Sequence, residues 1–386
     1  MKIFLPLLVA LVLVLAIPSC GAPADGQSPA SPNPPASSAP GGESGTLPGE
    51  ETAPHDPAVF RLTQETSIRN EKFREQEDFA DFLAAAESCF LIPGLNEAMT
   101  PQGISYSEET GLAYISSYAM VDTPSAILAV DPETGDYAAE YFLYQEDGSP
   151  FVSHVGGIAV VGDKVYLSAK LDNDGSYSVA EVPLAQLPTS GSYDITVTKT
   201  IPLPVSPSFL NYSEGILWVG NFYYPRGDYG LSTGMAFTTP SADGDYGCYI
   251  LGYPLEPDGE GLSVPAGEKY PIPAYVLAVT DRIQGFVKVG DTVWLSQSYG
   301  RTVNSTLLAY SLPDLDDTTL TIKVTGREVP AHILDSGNQT AALTAMPMTE
   351  GLCLGPEGSV LVLFESGSNR YRDGRFRTDH VWKMTP

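Results

Sequence analysis

The sequence predicts an all-β protein, a β-propeller of five blades carrying one N-terminal helix, and three observations lead there. Beyond residue 88 the apolar runs are all of strand length. Turn residues separate them, drawn from 37 glycines and 33 prolines in 386 residues. A two-strand pattern also recurs about every 50 to 76 residues, and four antiparallel strands repeating at such a period mark a propeller.

The chain begins with a targeting pattern. Lys2 precedes the apolar run FLPLLVALVLVLAI, and IPSCG follows, so residues 1–20 read as a signal peptide. The IPSCG stretch resembles the lipobox of bacterial lipoproteins, with Pro18 as a departure, and that resemblance implies cleavage after Ser19 and lipidation of Cys20. Residues 21–58 are a Pro, Ser and Gly tract too poor in apolar surface to fold, which makes them a disordered tether. Cys20→Ala should therefore abolish lipid labelling and move the protein from the detergent phase to the aqueous phase. Retention in the detergent phase would show an uncleaved helical anchor instead.

Residues 59–386 form the propeller domain. Phe73, Phe79, Phe82 and Leu83 stand among charges and predict a helix over 65–87 packed on it. The repeats QGISYSEETGLAYISSY (102–118), GGIAVVGDKVYLSAK (156–170), SFLNYSEGILWVGNF (208–222), QGFVKVGDTVWLSQS (284–298) and EGLCLGPEGSVLVLFES (350–366) share an apolar strand, a turn and a second strand. Their second strands align Tyr114, Tyr166, Trp218, Trp294 and Val362 in a column. SAILAVD, YSVAEVPL, CYILGYPL and STLLAYSL supply third strands, and AAEYFLY, DITVTKTIPL and PAYVLAV supply fourth strands. The last unit ends at HVWKM without an outer strand, whereas SCFLI (88–92) precedes the first unit, so the N-terminal strand is expected to close the ring. The long intervals 209–285 and 285–351 leave six blades open.

Composition limits the partners. A net charge of −27 repels phosphate backbones, which argues against nucleic acid and against an anionic membrane surface. After Cys20, only Cys89, Cys248 and Cys353 remain. Cys89 and Cys353 would occupy the outermost and innermost strands of one blade, about 14 Å apart, too far for a disulfide. Histidines 55, 154, 332 and 380 lack metal-ligand spacing, so no metal is expected. LDNDGS (171–176) reads as a hairpin turn rather than a calcium loop, and Arg226, Gly227 and Asp228 as a chance triplet.

In a four-stranded blade, the start of strand one, the end of strand two and the following loop share one face near the central channel. That places Gln102, His154, Ser208, Gln284 and Glu350 on this face at the first strands. Ser117, Asn221, Gln297 and Glu365 join them from the second strands, and Tyr118, Lys170, Tyr223, Tyr224, Tyr299, Arg301, Asn304, Arg370 and Tyr371 from loops. Such a mixture of carboxylate, amide, Arg and Tyr can orient a small-molecule or peptide ligand in a polar funnel. The structural alternative is that these groups bond one another and hold the blades in register.

Two family resemblances follow. Residues 88–386, with PGLNEAMTPQGI, HVGGIAV, LWVGNFYY, DRIQGF, LSQSYGR, MPMTEGL and LFESGSNRYR, resemble secreted, uncharacterised β-propeller lipoproteins of Gram-positive bacteria. QGFVKVGDTVWLSQSYGRTVNSTLLAY, followed one blade later by TEGL, is similar to the five-bladed plant-type glutaminyl cyclotransferases. Their resemblance implies formation of pyroglutamate from N-terminal glutamine, with Gln284 orienting the substrate and Glu350 transferring a proton. The family's HDP triplet stands here at 55–57, away from the repeats, and Phe364 and Glu365 stand where that family has tryptophan. The expectation is a monomeric, extracytoplasmic, lipid-anchored propeller binding a ligand, with a cyclotransferase-like enzyme or an interaction module presenting loop 225–246 as alternatives. Any cofactor is left open.

Overall fold

The computed structural model describes residues 56–119, 123–170, 177–227, 229–312 and 314–386. Cys20, the tether up to residue 55, His55, LDNDGS and Asp228 lie outside the described residues. Five four-stranded antiparallel units follow one another around a ring. Blade 1 runs Thr100–Ser107, Leu112–Tyr118, Ala126–Val130 and Tyr137–Tyr144 from the channel outward. Blade 2 comprises Ile158–Val161, Lys164–Lys170, Tyr177–Pro183 and Lys199–Leu203, and blade 3 Phe209–Ser213, Ile216–Gly220, Cys248–Pro254 and Tyr275–Val279. Ile283–Val289, Thr292–Gln297, Ser305–Ser311 and Gln339–Ala345 make blade 4. In blade 5, Thr349–Leu354, Val360–Phe364 and His380–Met384 are completed by Ala86–Leu91, which pairs antiparallel with His380–Met384.

Closure by the N-terminal strand is thus observed, and the long intervals hold no sixth blade. Insertions fill them, and blade 2, outside those intervals, carries one as well. Gly191–Thr196, inserted between the third and fourth strands of blade 2, turns back to pair parallel with the outer strand of blade 1. Arg327–Ile333, from the same position in blade 4, pairs parallel with the outer strand of blade 3. Both insertions cover outer edges that would otherwise be open to pairing. The segment DITVTKTIPL is consequently split, with Asp194–Thr196 in the edge strand of blade 1 and Lys199–Leu203 in blade 2.

The core is five interblade layers rather than one centre. Separate clusters of buried apolar side chains join blades 1 and 2, 2 and 3, 3 and 4, 4 and 5, and 5 and 1. Both faces of each sheet are covered, which is why the strands read as apolar runs more than as alternation. Tyr114, Tyr166, Trp218 and Trp294 each fill the layer toward the following blade. Val362 departs from that column. It faces the layer shared with blade 4, while Leu361 and Leu363 face blade 1. A one-residue change of register moves a side chain to the other face, and the longer turn GPEGS makes that change here.

The expected helix over 65–87 is replaced by 3₁₀ turns at Lys72–Glu75 and Glu77–Phe79 and a short helix at Ala80–Ala85. The reason is tertiary. Phe73, Phe79 and Phe82 are fully buried against Trp382, Phe376 and Phe364, partners that no single helical stripe reaches. Upstream, the buried carboxylate of Glu140 accepts the amides of Arg61 (2.6 Å) and Leu62 (3.2 Å), pinning the segment to blade 1. Cys89, Cys248 and Cys353 are free thiols, with Cys89 and Cys353 on the outermost and innermost strands of blade 5. Burial pushes the Cys248 and Cys353 thiols up. No helix among the described residues is long and apolar enough to cross a membrane.

Candidate ligand-binding site

The polar-glycine pairs of the repeat divide their labour. The glycine closes the ring. A methyl group on Gly103 would sit 2.7 Å from the Gly157 Cα beside the first strand of blade 2, and one on Gly285 would sit 2.6 Å from the Glu350 carbonyl oxygen in blade 5. The innermost strands of neighbouring blades therefore touch backbone to backbone. The polar residue is aimed elsewhere, because it stands in a β-bulge: register shifts between Pro101 and Gly103, between Ile283 and Gly285, and between Thr349 and Leu352. Bulges redirect side chains, and these present Gln102, Gln284 and Glu350 at the channel mouth.

There the structure assembles a carboxyl pair. Gln284 Nε2 donates to Glu350 Oε1 at 3.3 Å, and Gln102 Nε2 donates to Glu365 Oε2 at 2.9 Å. The two carboxyls lie close enough for each to shift the other's proton affinity. Burial drives the Glu350 carboxyl well above the ordinary range, and the charge of Glu365 drives it further. Burial likewise raises Glu365 to about 7, against hydrogen bonds from Tyr371 and Gln102 that favour its charged form. Neighbouring carboxyls raised in this way favour the protonated form more than free carboxyls do, the arrangement that suits acid–base work.

A wall of Arg and aromatic groups stands over the pair. The Arg370 guanidinium lies 5.1 Å from the Tyr118 ring centroid and 5.6 Å from that of Tyr371, and its Nη1 is buried with no hydrogen-bond partner among the described residues. The Thr100 and Ser117 hydroxyls, opposite each other's neighbours on the first two strands of blade 1, are in the same condition. His154 packs 4.2 Å from Tyr118 and keeps an exposed edge, while desolvation and the charge of Arg370 lower its pKa. Glu365 and Gln284 stay partly exposed beneath this wall.

The remaining expected residues lie at the rim or serve the scaffold. Arg301 pairs with Asp373 at 2.8 Å and covers the Tyr371 ring at 4.8 Å. Tyr299 joins a rim cluster with Tyr224 at 4.5 Å and Phe222 at 6.4 Å. Tyr223 is half-buried and its carbonyl accepts the Arg282 amide. Asn221 is buried, donating to the Gly247 carbonyl and accepting the Tyr249 amide, and Gln297 Nε2 donates to the Asp281 carbonyl. Those contacts hold their loops, and neither amide joins the carboxyl pair. The described residues of loop 225–246 include the buried Met235 and a hairpin of Thr239–Ser241 with Gly244–Tyr246.

Sequence reasoning missed the serines one residue before the second-strand ends. Ser116 Oγ donates to the Val155 carbonyl at 2.7 Å and Ser296 Oγ donates to the Glu350 carbonyl at 2.6 Å, each bridging to the next blade. The Ser shared by SSY and LSQ was the available signal. Glu71, Asp379 and His380 also converge, with potential ligand atoms within 4.8 Å. Asp379 is already engaged there by Thr66, the Ser67 amide and His380.

The sequence matches no family profile and no curated protein. Among solved structures, a glucose dehydrogenase (oxidoreductase) of Thermus thermophilus is 14% identical, covering 78% of this protein and 99% of that one, at a TM-score of 0.41. The GH43_1 enzyme of Xanthomonas citri complexed with xylose is 14% identical, covering 78% and 91%, at 0.39. A gluconolactonase of Xanthomonas campestris is 14% identical, covering 82% and 87%, at 0.33. Likeness of this degree carries no argument about activity; the propeller itself is established by the strand order of this protein.

Proposed function

We propose that the protein is an extracytoplasmic, lipid-anchored propeller whose channel mouth binds a small or peptidic ligand presenting an amine beside a carbonyl or carboxylate. The carrying observation is the Glu350–Glu365 pair, capped by Gln102 and Gln284 and faced by the unpartnered Nη1 of Arg370. The pair would take the ammonium, and Arg370 would donate to the ligand oxygen. The apolar run at the N-terminus and Cys20 support the location.

A second reading is an enzyme of the cyclotransferase type, favoured by a carboxyl titrating near 7 beside the Gln284–Glu350 bond. The N-terminal amine of a glutaminyl peptide would attack the carbonyl carbon of its own γ-amide, forming one C–N bond. The γ-amide's original C–N bond would break, and ammonia would leave carrying the proton surrendered by the amine through the carboxyl pair.

Titration with a glutaminyl dipeptide tests both readings. Affinity is expected to rise from pH 5 to pH 8, because the pair gains its negative charge as pH passes through about 7. Glu365→Gln should flatten that profile and weaken binding by about 2 kcal/mol or more. Linkage sets the accompanying stability. A carboxyl raised in the folded state stabilises most below its ordinary pKa, and that contribution is lost as pH rises through about 7. Glu365→Gln should therefore melt no lower than the parent at pH 8. A lower melting temperature with unchanged affinity would assign the pair to the scaffold and sink the proposal. Ammonia loss by mass, absent in Glu350→Gln, would establish the enzyme.

A further inference from the structure

We infer that the cleft between residues 66–72 and the loop joining the last two strands of blade 5 is a binding site for a phosphate-bearing anion of two or more charges. It is a cavity of about 590 Å³, within the range of small-molecule sites. Arg69, Lys72, Arg372 and Arg377 all line it, and no carboxylate does. Four of the 20 lysines and arginines thus converge in a protein of net charge −27 with 47 acidic residues. Mutual repulsion makes such convergence unfavourable without a counter-charge.

The nearby acids are turned to other duties. Glu71 pairs with Arg74, and Asp373 pairs with Arg301. Asp379 lies behind the wall, receiving Thr66, Ser67 and Ile68. None of the four cations forms an ion pair among the described residues, whereas ten other lysines and arginines do. Arg377 is moreover fixed in place, donating to the carbonyls of Ser366 at 2.7 Å, Gly367 at 2.7 Å and Ser368 at 3.0 Å. Burial lowers its pKa, against the opposing charges of Asp379 and Asp373, with like charge from Arg372 adding to the cost. Guanidinium groups match phosphate oxygens in pairs, and screening within about 8 Å at physiological salt lets this local field prevail over the distant negative charge.

Calorimetry of the soluble protein from residue 56 onward with inorganic pyrophosphate tests this, with citrate as the carboxylate comparison. Saturable pyrophosphate binding is expected, weakened at least tenfold by Arg69→Ala with Lys72→Ala and again by Arg372→Ala. These side chains are exposed, so the melting temperature should hold. Absence of saturable heat, or affinity unchanged in both variants, overturns the site, and citrate binding as tightly as pyrophosphate overturns the phosphate assignment. Glu365→Gln should leave pyrophosphate binding intact, which separates this site from the channel mouth.

Discussion

Deleting residues 60–95 should cost more than about 5 kcal/mol and leave no cooperative melt, whereas deleting 21–58 should shift the melting temperature by only a few degrees. The first deletion removes Ala86–Leu91, the outer strand of blade 5, and exposes the ladder edge of His380–Met384. It also removes Phe73, Phe79 and Phe82, all fully buried, from the layer between blades 4 and 5. Loss of a single buried phenylalanine costs about 3–5 kcal/mol, and a domain has only about 5–15 kcal/mol in hand. Among the described residues, the second deletion takes away the bond from the Ser192 amide to the Pro57 carbonyl, worth about 1 kcal/mol. Thermal melts of the two truncations decide it. Equal melting temperatures would mean that the ring is held shut by something other than this strand.

Gly157→Ala should destabilise the domain by about 3 kcal/mol or more, although it adds one methyl group. Overpacking in a core that can adjust costs about 1–3 kcal/mol, with side chains turning aside. Here the obstacle is backbone, since the added carbon would approach the Leu210 nitrogen to 2.1 Å and the Phe209 carbonyl carbon to 2.6 Å. Relief requires moving blade 2 away from blade 3, which disturbs the apolar layer they share. Gly215→Ala is the control. It sits in a turn with nothing near its Cβ position, and only its positive φ of 78° opposes substitution, so its cost should be about 1 kcal/mol. Denaturant titration of the two variants measures the difference, and a Gly157→Ala loss no larger than the control's would show that the inner strands do not bear on each other.

Much of the site was legible because the repeat marks it. Gln102, Gln284 and Glu350 each precede a glycine at the start of an innermost strand, so aligning the units placed them on one face before any coordinates. Glu365 and Arg370 were placed there by the same alignment. What alignment could not supply was which of these polar groups meet. Asn221 and Gln297 occupy the same position at second-strand ends as Glu365, yet both amides are taken up by their own loops. That difference depends on backbone atoms distant in sequence.

The repeat pattern and turn chemistry by themselves determined the all-β class, the four-stranded unit and the closing strand, because strand-length apolar runs and turn residues are local and each unit repeats them. Tertiary structure alone decided the rest. It broke the expected helix over 65–87 into short turns, since three phenylalanines pack on Trp382, Phe364 and Phe376 of blade 5 and its connecting loop. It sent Gly191–Thr196 and Arg327–Ile333 back to neighbouring blades, because an uncovered outer strand leaves its hydrogen-bonding groups unpaired. It also set the protonation of Glu350 and Glu365, which follows from burial of both carboxyls and, for Glu350, from the charge of Glu365 beside it. A carboxylate's pKa answers to the groups packed around it, and those are brought together only when the ring closes.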